Sequence, residues 1–225
     1  DAIEAQVDAS KEKTTVTAGN EPNIICILLE SFIDPYEVNF LQMSEDPITT
    51  FHSLEQNFST GYLTVPVVGA GTANTEFEVL TGMNIQYFGT GEYPYKTVLK
   101  SADCPSVESI ASDLSSIGYG THVVHNNTAT FYSRNNAFSK MGFDTFTSKE
   151  LMNITEYTPS GSWPTDKVLV NETVKAMDAT EGQSDFVYTI TVGSHGDYPT
   201  EKIIENPEIQ VTGAATEESN IQWEY

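Results

Sequence analysis

Short apolar blocks, separated by polar stretches, mark the strands that this sequence predicts. They are rich in β-branched and aromatic side chains and are bounded by glycine, proline or polar residues. The blocks cover residues 23–29, 62–68, 120–125 and 186–192. The first block is apolar without interruption, which is typical of a strand buried on both faces of a parallel sheet.

Apolar residues at helical spacing occupy the stretches between these blocks. They predict helices over residues 48–58, 72–80, 106–117, 133–141 and 166–177, and the last residues read as the opening turn of another helix. Strands that alternate with helices indicate an α/β fold with a largely parallel central sheet. Residues 1–20 are polar and predict a linker or a frayed helix, so the expected domain is residues 21–225.

Polar residues follow several of the predicted strands directly. Glu30, the glycine-rich turn of residues 69–72, His125 and His195 each lie just past a strand. The carboxyl ends of parallel strands meet at one edge of the sheet, where ligands bind in open α/β folds. The sequence therefore predicts that these groups converge on one site.

Residue types suggest what such a site would do. Glu30 is either an exposed carboxylate at a strand end or a ligand for a hard cation such as Mg²⁺ or Mn²⁺. Gly69 and Gly71 let the backbone approach a ligand, and the helix that follows favours a phosphate or sulfate at its N-terminus. Thr72 is either the N-cap of that helix or a nucleophile activated by a cation that it shares with Glu30.

Composition narrows the function classes. Lys and Arg number 10 against 32 Asp and Glu, a net charge of −22 that repels nucleic acid and gives no attraction to anionic lipid. No apolar run is long enough to span a bilayer, and no signal peptide is visible. Cys26 is expected as a buried thiol and Cys104 as a loop residue, with neither a disulfide nor a zinc site between them. The histidines lack the HExxH spacing of zinc proteases.

Two segments of the sequence resemble one enzyme family. They are LLESF around Glu30 and GTANTEFEVLTG from Gly71 onwards. They are similar to blocks in the extracellular domain of lipoteichoic acid synthases and related phosphoglycerol transferases, within the sulfatase/alkaline-phosphatase superfamily. The resemblance extends from about residue 20 to the end. It implies that Glu30 binds Mn²⁺ or Mg²⁺, and that Thr72, rather than Thr75, is the nucleophile and a second metal ligand.

A further block, HNNTATFYSRN, begins at His125 and resembles the family segment that holds a glycerol-phosphate head group. The family pattern is His-x-Asp followed by Phe-Trp-x-Arg. His125, Phe131 and Arg134 match it, whereas Asn127 replaces Asp and Tyr132 replaces Trp. The resemblance implies that His125, Asn127, Tyr132 and Arg134 bind substrate. Without the resemblance, His125 could be an ordinary rim histidine and Arg134 a surface ion pair.

The later block SHGDYP resembles the family motif in which the histidine contacts the phosphate, which implies a substrate-binding role for His195. Asp197 is not assigned to metal. Trp163 and Asp166 resemble the family's entry to a helix and are interpreted as structural.

One departure concerns the metal. The family completes its site with an Asp-His pair after a later strand, and this sequence contains no Asp-His dipeptide. We therefore expect an incomplete Mn²⁺ or Mg²⁺ site, in a chain that is the N-terminal portion of a sulfatase-like catalytic domain and inactive by itself. The absent strand would leave a sheet edge open to self-association.

The resemblance implies a membrane-anchored phosphoglycerol transferase at the extracellular face of a bacterial membrane. Thr72 would attack a phosphatidylglycerol-like lipid, and a glycan or glycerol-phosphate polymer would then accept glycerol phosphate from a phosphothreonine intermediate. His125, Arg134 and His195 would neutralise the phosphoryl oxygens.

Other functions stay open. A phosphoethanolamine transferase or a phosphodiesterase would also use a threonine. A non-catalytic module that binds glycerol-phosphate polymer is a further alternative. A sulfatase activity is disfavoured, because such enzymes need Cys or Ser at the position of Thr72.

Overall fold

A computed structural model describes residues 21–225, so the linker predicted over residues 1–20 lies outside the described residues. Four parallel strands form the central sheet: β1 (Ile24–Leu28), β3 (Gly120–His125), β4 (Thr145–Ser148) and β5 (Asp185–Ile190), in the order β1-β5-β3-β4. A small antiparallel pair joins β2 (Gln42–Met43) to β6 (Val211–Thr212). The α/β class with a parallel central sheet is confirmed.

The predicted helices are all present. They are α1 (Thr49–Asn57), α2 (Thr72–Thr81), α3 (Ile110–Ser116), α4 (Arg134–Lys140) and α5 (Lys167–Asp178), and α6 (Glu217–Glu224) follows near the end of the chain. Helix α3 begins later than its apolar pattern suggests, because Ser109 and Ser112 cap it reciprocally. None of the helices within residues 21–225 is both long and apolar enough to cross a membrane.

Helices cover both faces of the sheet. Alternate side chains of β5 point to opposite faces. Phe186 and Tyr188 pack in one buried cluster with residues of α2, α3 and α4, including Phe77. Val187 packs on the other side with Leu169 of α5. This arrangement leaves the carboxyl ends of the strands as a free edge for the loops that carry the candidate site.

Two strand predictions are wrong. Residues 62–68 form no strand, because their β-rich pattern finds no neighbouring strand within the described part of the chain. Strand β1 is not buried on both faces: it pairs only with β5, and Ile25 and Ile27 are 47% and 57% exposed. Its outer edge is open within residues 21–225, as we expected from the sequence. Cys26 on β1 is only partly buried, and both cysteines are free.

Candidate functional site

The loops after β1 and β5 are tied together at the carboxyl edge of the sheet. The backbone N–H of Glu30 donates to Thr191 Oγ1 at 2.9 Å, and Ser194 Oγ donates to the Glu30 carbonyl at 2.7 Å. Thr72 Oγ1 reaches this junction from the start of α2 and donates to Glu30 Oε1 at 2.9 Å. Two residues separated by 42 positions in sequence are thus in direct contact.

Thr72 is not the N-cap of α2. That position belongs to Gly71, whose φ of 91° lies in the left-handed region that glycine tolerates. A Cβ on Gly71 would also lie 3.0 Å from Tyr93 Oη. Because Thr72 is the first helical residue and its hydroxyl caps nothing, that hydroxyl is available to Glu30.

The carboxylate of Glu30 is buried, with only 4% of the residue exposed. Burial raises the pKa of this carboxyl, while Arg134 and the Thr72 hydroxyl lower it to a smaller extent. No lysine or arginine of residues 21–225 forms an ion pair with it. An exposed strand-end role is therefore excluded, and the residue is suited to bind a cation supplied from outside the protein.

Glu30 and Thr72 fit the predicted cation in chemistry, because carboxylate and hydroxyl oxygens are the ligands that Mg²⁺ and Mn²⁺ prefer. Their oxygens already lie side by side. The described residues contain another group with the composition of a metal site, Asp34, His52 and Glu55, but it includes neither Glu30 nor Thr72. Asp197 belongs to neither group.

Arg134 is fully buried and paired with a residue that the sequence did not single out. Its Nε and Nη2 donate to the two carboxylate oxygens of Glu76 at 3.2 and 2.5 Å, and neither side chain is exposed. The third nitrogen, Nη1, is buried and has no partner. The surface ion pair considered from the sequence is excluded, and the bidentate fork points at Glu76 rather than at a ligand. Glu76 lies one helical turn after Thr72, which is the signal that could have revealed it.

His125 is neutral and has a defined tautomer. Its Nδ1 lies 2.9 Å from the Ile190 carbonyl oxygen, which only accepts hydrogen bonds, so Nδ1 carries the proton. Burial, with a smaller contribution from Arg134, lowers the pKa of His125 to about 3. Nε2 is therefore an acceptor, and within residues 21–225 it is buried without a partner. The role of His125 at phosphoryl oxygens stays a prediction, and in its neutral form the ring would offer a lone pair rather than a charge.

His195 stands in the loop after β5 against an aromatic wall. Its ring contacts Trp163 edge-on with centroids 4.7 Å apart, and the Trp163 indole N–H donates to the Gly196 carbonyl at 2.7 Å. His195 Nδ1 is buried without a partner. Trp163 thus positions the histidine loop, which agrees with the structural role interpreted from the sequence.

Asp166 has a structural role of the same kind. Its Oδ1 accepts the backbone N–H groups of Val192 and Gly193 at 2.9 and 3.0 Å, and the Asn126 side-chain amide at 2.9 Å. A Cβ on Gly193 would lie 2.6 Å from Asp166 Oδ2, so this close approach requires glycine. One carboxylate therefore fixes the loop after β5 against the loop after β3.

Tyr132 lines the site next to Arg134, whose Cζ lies 5.3 Å from the centroid of its ring. Tyr93 stacks on Tyr132 with centroids 5.5 Å apart. Asn127 lies on the same loop, and its side-chain oxygen accepts the N–H of Thr128 at 2.8 Å. A substrate-binding role for Asn127 stays a prediction.

Unusual backbone conformations flank the site. The non-glycine residues with positive φ within residues 21–225 are Ser31, Tyr132, Ser133 and Asp197. Each lies within two residues of Glu30, Arg134 or His195. Such conformations cost free energy and cluster where side chains must be aimed at a ligand.

A profile described as Sulfatase matches residues 22–219. The chain belongs to the sulfatase family. Among curated relatives, this sulfatase-family chain is 28% identical over 197 residues to a protein of Rhizobium meliloti (strain 1021), provisionally named a cyclic beta-1,2-glucan modification protein. That match covers 88% of the chain and 29% of the relative, so the chain spans about a third of the curated relatives that it matches.

Solved structures share the fold of this sulfatase-family chain. The phosphoglycerol transferase GacH of Streptococcus pyogenes, in complex with sn-glycerol-1-phosphate, matches with a TM-score of 0.75 at 22% identity. The lipoteichoic acid synthase LtaP of Listeria monocytogenes matches with a TM-score of 0.70 at 21% identity. The matches cover 97% and 98% of this chain but 55% and 54% of those structures. The alkaline-phosphatase/sulfatase-like fold is therefore confirmed.

Proposed function

We propose that this chain is part of a metal-dependent phosphoglycerol transferase that uses Thr72 as its nucleophile. The observation that carries the proposal is the half-buried hydrogen bond from Thr72 Oγ1 to Glu30 Oε1 at 2.9 Å, made at the N-terminus of α2. The contact holds the hydroxyl in one orientation beside a carboxylate that lacks a counter-ion. Glu30 and Thr72 would hold Mn²⁺ or Mg²⁺, which lowers the pKa of a bound hydroxyl and stabilises negative charge on phosphoryl oxygens.

The proposed reaction has two displacements at one phosphorus atom. Thr72 Oγ1 bonds to the phosphorus of a phosphatidylglycerol-like lipid and loses its proton. The bond from phosphorus to the diacylglycerol oxygen breaks, and that oxygen takes up a proton. The oxygen of an acceptor hydroxyl then bonds to the same phosphorus and gives up its proton. The bond between phosphorus and Thr72 Oγ1 breaks, and Thr72 regains a proton. Glu30 orients the nucleophile by accepting its hydrogen bond.

Two orphaned atoms favour a glycerol head group. Arg134 Nη1 can only donate a hydrogen bond and His125 Nε2 can only accept one, and both are buried without partners among residues 21–225. A hydroxyl group can accept from the first and donate to the second. An ethanolamine ammonium could donate to His125 but could not accept from Arg134. The phosphoethanolamine alternative is therefore disfavoured.

The acceptor in this proposal is a glycan or a glycerol-phosphate polymer. The name of the Rhizobium relative supports a glycan, and the name of LtaP supports a polymer. The reaction would take place at the extracellular face of the bacterial membrane, in a protein anchored to that membrane, because the donor is a membrane lipid.

Mass spectrometry of the enzyme tests the nucleophile and the donor together. The full-length gene product is incubated with Mn²⁺ and phosphatidylglycerol labelled in its head group. We expect a glycerophosphate adduct on Thr72, absent in Thr72→Ala and retained in the matched control Thr75→Ala. Phosphatidylethanolamine should give no adduct.

The opposite results are equally clear. Lipid left intact by a metal-loaded protein would exclude the phosphatidylglycerol transferase. If glycerol phosphate nevertheless binds, and binds equally to Thr72→Ala, the protein is a recognition module.

A further inference from the structure

The cationic groups at the site are already neutralised within the fold. Arg134 shares its charge with Glu76 in a pair that is fully buried, and His125 is neutral. The carboxylate of Glu30 adds a negative charge. A bound divalent cation would serve the phosphoryl group that is transferred, but these residues leave no spare positive charge for a second anionic group on a substrate.

Lys96 is an exposed cation beside this site, and it forms no ion pair within residues 21–225. That is notable in a chain with 32 acidic residues and a net charge of −22. Its Nζ lies 4.5 Å from the centroid of the Tyr132 ring and 5.1 Å from that of the Tyr93 ring. The ammonium is thus held by two aromatic rings rather than by a carboxylate.

The same rings connect Lys96 to the catalytic centre. Tyr132 lies with its ring centroid 5.3 Å from Arg134 Cζ, so the ring separates the neutralised guanidinium from the free ammonium. Tyr93 Oη closely approaches Gly71, the residue directly before Thr72. The Tyr132 ring therefore lies between Lys96 and Arg134 of the predicted head-group site.

We propose that Tyr93, Lys96 and Tyr132, here called the Lys96 shelf, bind a second phosphate group of the substrate, next to the phosphoryl group that is transferred. The inference rests on the proposed function. A lysine ammonium offers three hydrogen-bond donors and a compact charge, and this suits a phosphodiester in varied orientations. The two rings pre-position the ammonium without neutralising it. The second phosphate belongs to a glycerol-phosphate polymer that acts as acceptor, because the only phosphate of a phosphatidylglycerol-like donor is the one that is transferred.

Binding measurements with one-phosphate and two-phosphate ligands test the shelf. We would titrate the full-length gene product with sn-glycerol 1-phosphate and with its phosphodiester-linked dimer, at low salt. The wild type should bind the dimer about ten-fold more tightly, as one charge-assisted contact provides. Lys96→Met keeps the aliphatic stem and should remove that preference, while affinity for the monomer stays the same. Lys96→Arg should keep the preference.

Lys100→Met is the matched control, because Lys100 is also exposed and lies four residues further along the chain. It should leave both affinities unchanged. The preference for the dimer should also shrink as salt is added, since an exposed ammonium is screened.

Several results would overturn the shelf. One is equal affinity of the wild type for the two ligands, and another is a preference for the dimer that survives in Lys96→Met. A third is equal weakening of both ligands by Lys96→Met, which would assign Lys96 to the head-group site. If the wild type binds neither ligand, the proposed function itself fails.

Turnover assays test whether the acceptor carries the second phosphate. We expect Lys96→Met to raise KM for a glycerol-phosphate acceptor about ten-fold and to leave KM for the lipid unchanged. A raised KM for the lipid alone would overturn the shelf. Unchanged KM values for both substrates would overturn the shelf.

Discussion

Two buried glutamates, 46 positions apart, occupy the same site in opposite electrostatic situations. Glu76 is fully buried, and both of its oxygens accept hydrogen bonds from the Arg134 guanidinium. Glu30 is almost as buried, yet in the described part of the chain its side chain has only the Thr72 hydroxyl as a hydrogen-bonding partner. The charge of Glu76 is balanced within the fold, whereas that of Glu30 is not.

The difference separates a positioning residue from a ligand. A buried charge that is paired holds its partner in place, and here it leaves one guanidinium nitrogen aimed into the site. A buried charge without a counter-ion destabilises the empty protein and is retained where a cation binds. We therefore expect changes at Glu76 to affect folding and changes at Glu30 to affect cation binding.

Glu76→Gln should have the largest effect on stability. It leaves the Arg134 charge buried and uncompensated, and we expect a loss of about 3–5 kcal/mol in the free energy of unfolding. Glu30→Gln should be neutral or stabilising in metal-free buffer, because it removes an unbalanced charge. Denaturant titration of both variants compares them.

A surface pair provides the control for this prediction. Glu156 accepts a hydrogen bond from Lys167, and both side chains are largely exposed, so Glu156→Gln should cost no more than about 1 kcal/mol. If Glu76→Gln costs as little as Glu156→Gln, the contrast between the two buried glutamates does not hold.

Divalent cations should stabilise the protein only through Glu30. With Mn²⁺ at about a hundred times its Kd, linkage adds about 2.7 kcal/mol to the free energy of unfolding. Thermal unfolding with and without Mn²⁺ measures this gain in the wild type and in Glu30→Gln. An equal gain in both would mean that the cation binds elsewhere, and Asp34→Asn then tests the separate group around His52.

Thr72→Ala should cost about 1 kcal/mol, the net value of its hydrogen bond to Glu30. Thr75→Ala, on the same helix, should cost less, because among residues 21–225 the threonine that donates to Glu30 is Thr72 and not Thr75. Equal costs, measured by denaturant titration, would indicate that the Thr72–Glu30 contact contributes nothing beyond helix packing.

The smallest expected effect is the pH dependence that Glu30 contributes. Burial raises the pKa of the Glu30 carboxyl in the folded state. Its contribution to stability is therefore fully present below the pKa of the unfolded state, and it is lost as pH rises through the pKa of the folded state. His125 acts in the opposite direction, because its pKa of about 3 means that stability is lost as pH falls below about 6.5. The difference between wild type and Glu30→Gln isolates Glu30. This difference in the free energy of unfolding should narrow as pH falls. A difference that stays constant with pH would contradict the raised pKa of Glu30.

Local patterns predicted the elements that carry the site. The apolar runs ending at Glu30 and His125 became β1 and β3, and the glycine before Thr72 became the start of α2. Such features depend on near neighbours in sequence, and the alternation of strands and helices then fixes which strand ends meet. The position of β1 at an edge could not be predicted. An apolar run shows that burial of the strand is favourable, but it does not show which neighbouring element buries it.

The sequence by itself determined the α/β class and the family. It also determined the positions of Glu30, His125 and His195 after their strands, and that of Thr72 at the start of a helix. Only the tertiary structure decided that Glu76 neutralises Arg134, that His125 presents a lone pair, and that Lys96 is left without an acidic partner. These properties depend on which distant groups meet in a buried environment. Charge and protonation there are set by burial and by partners across space, which periodicity along the chain does not encode.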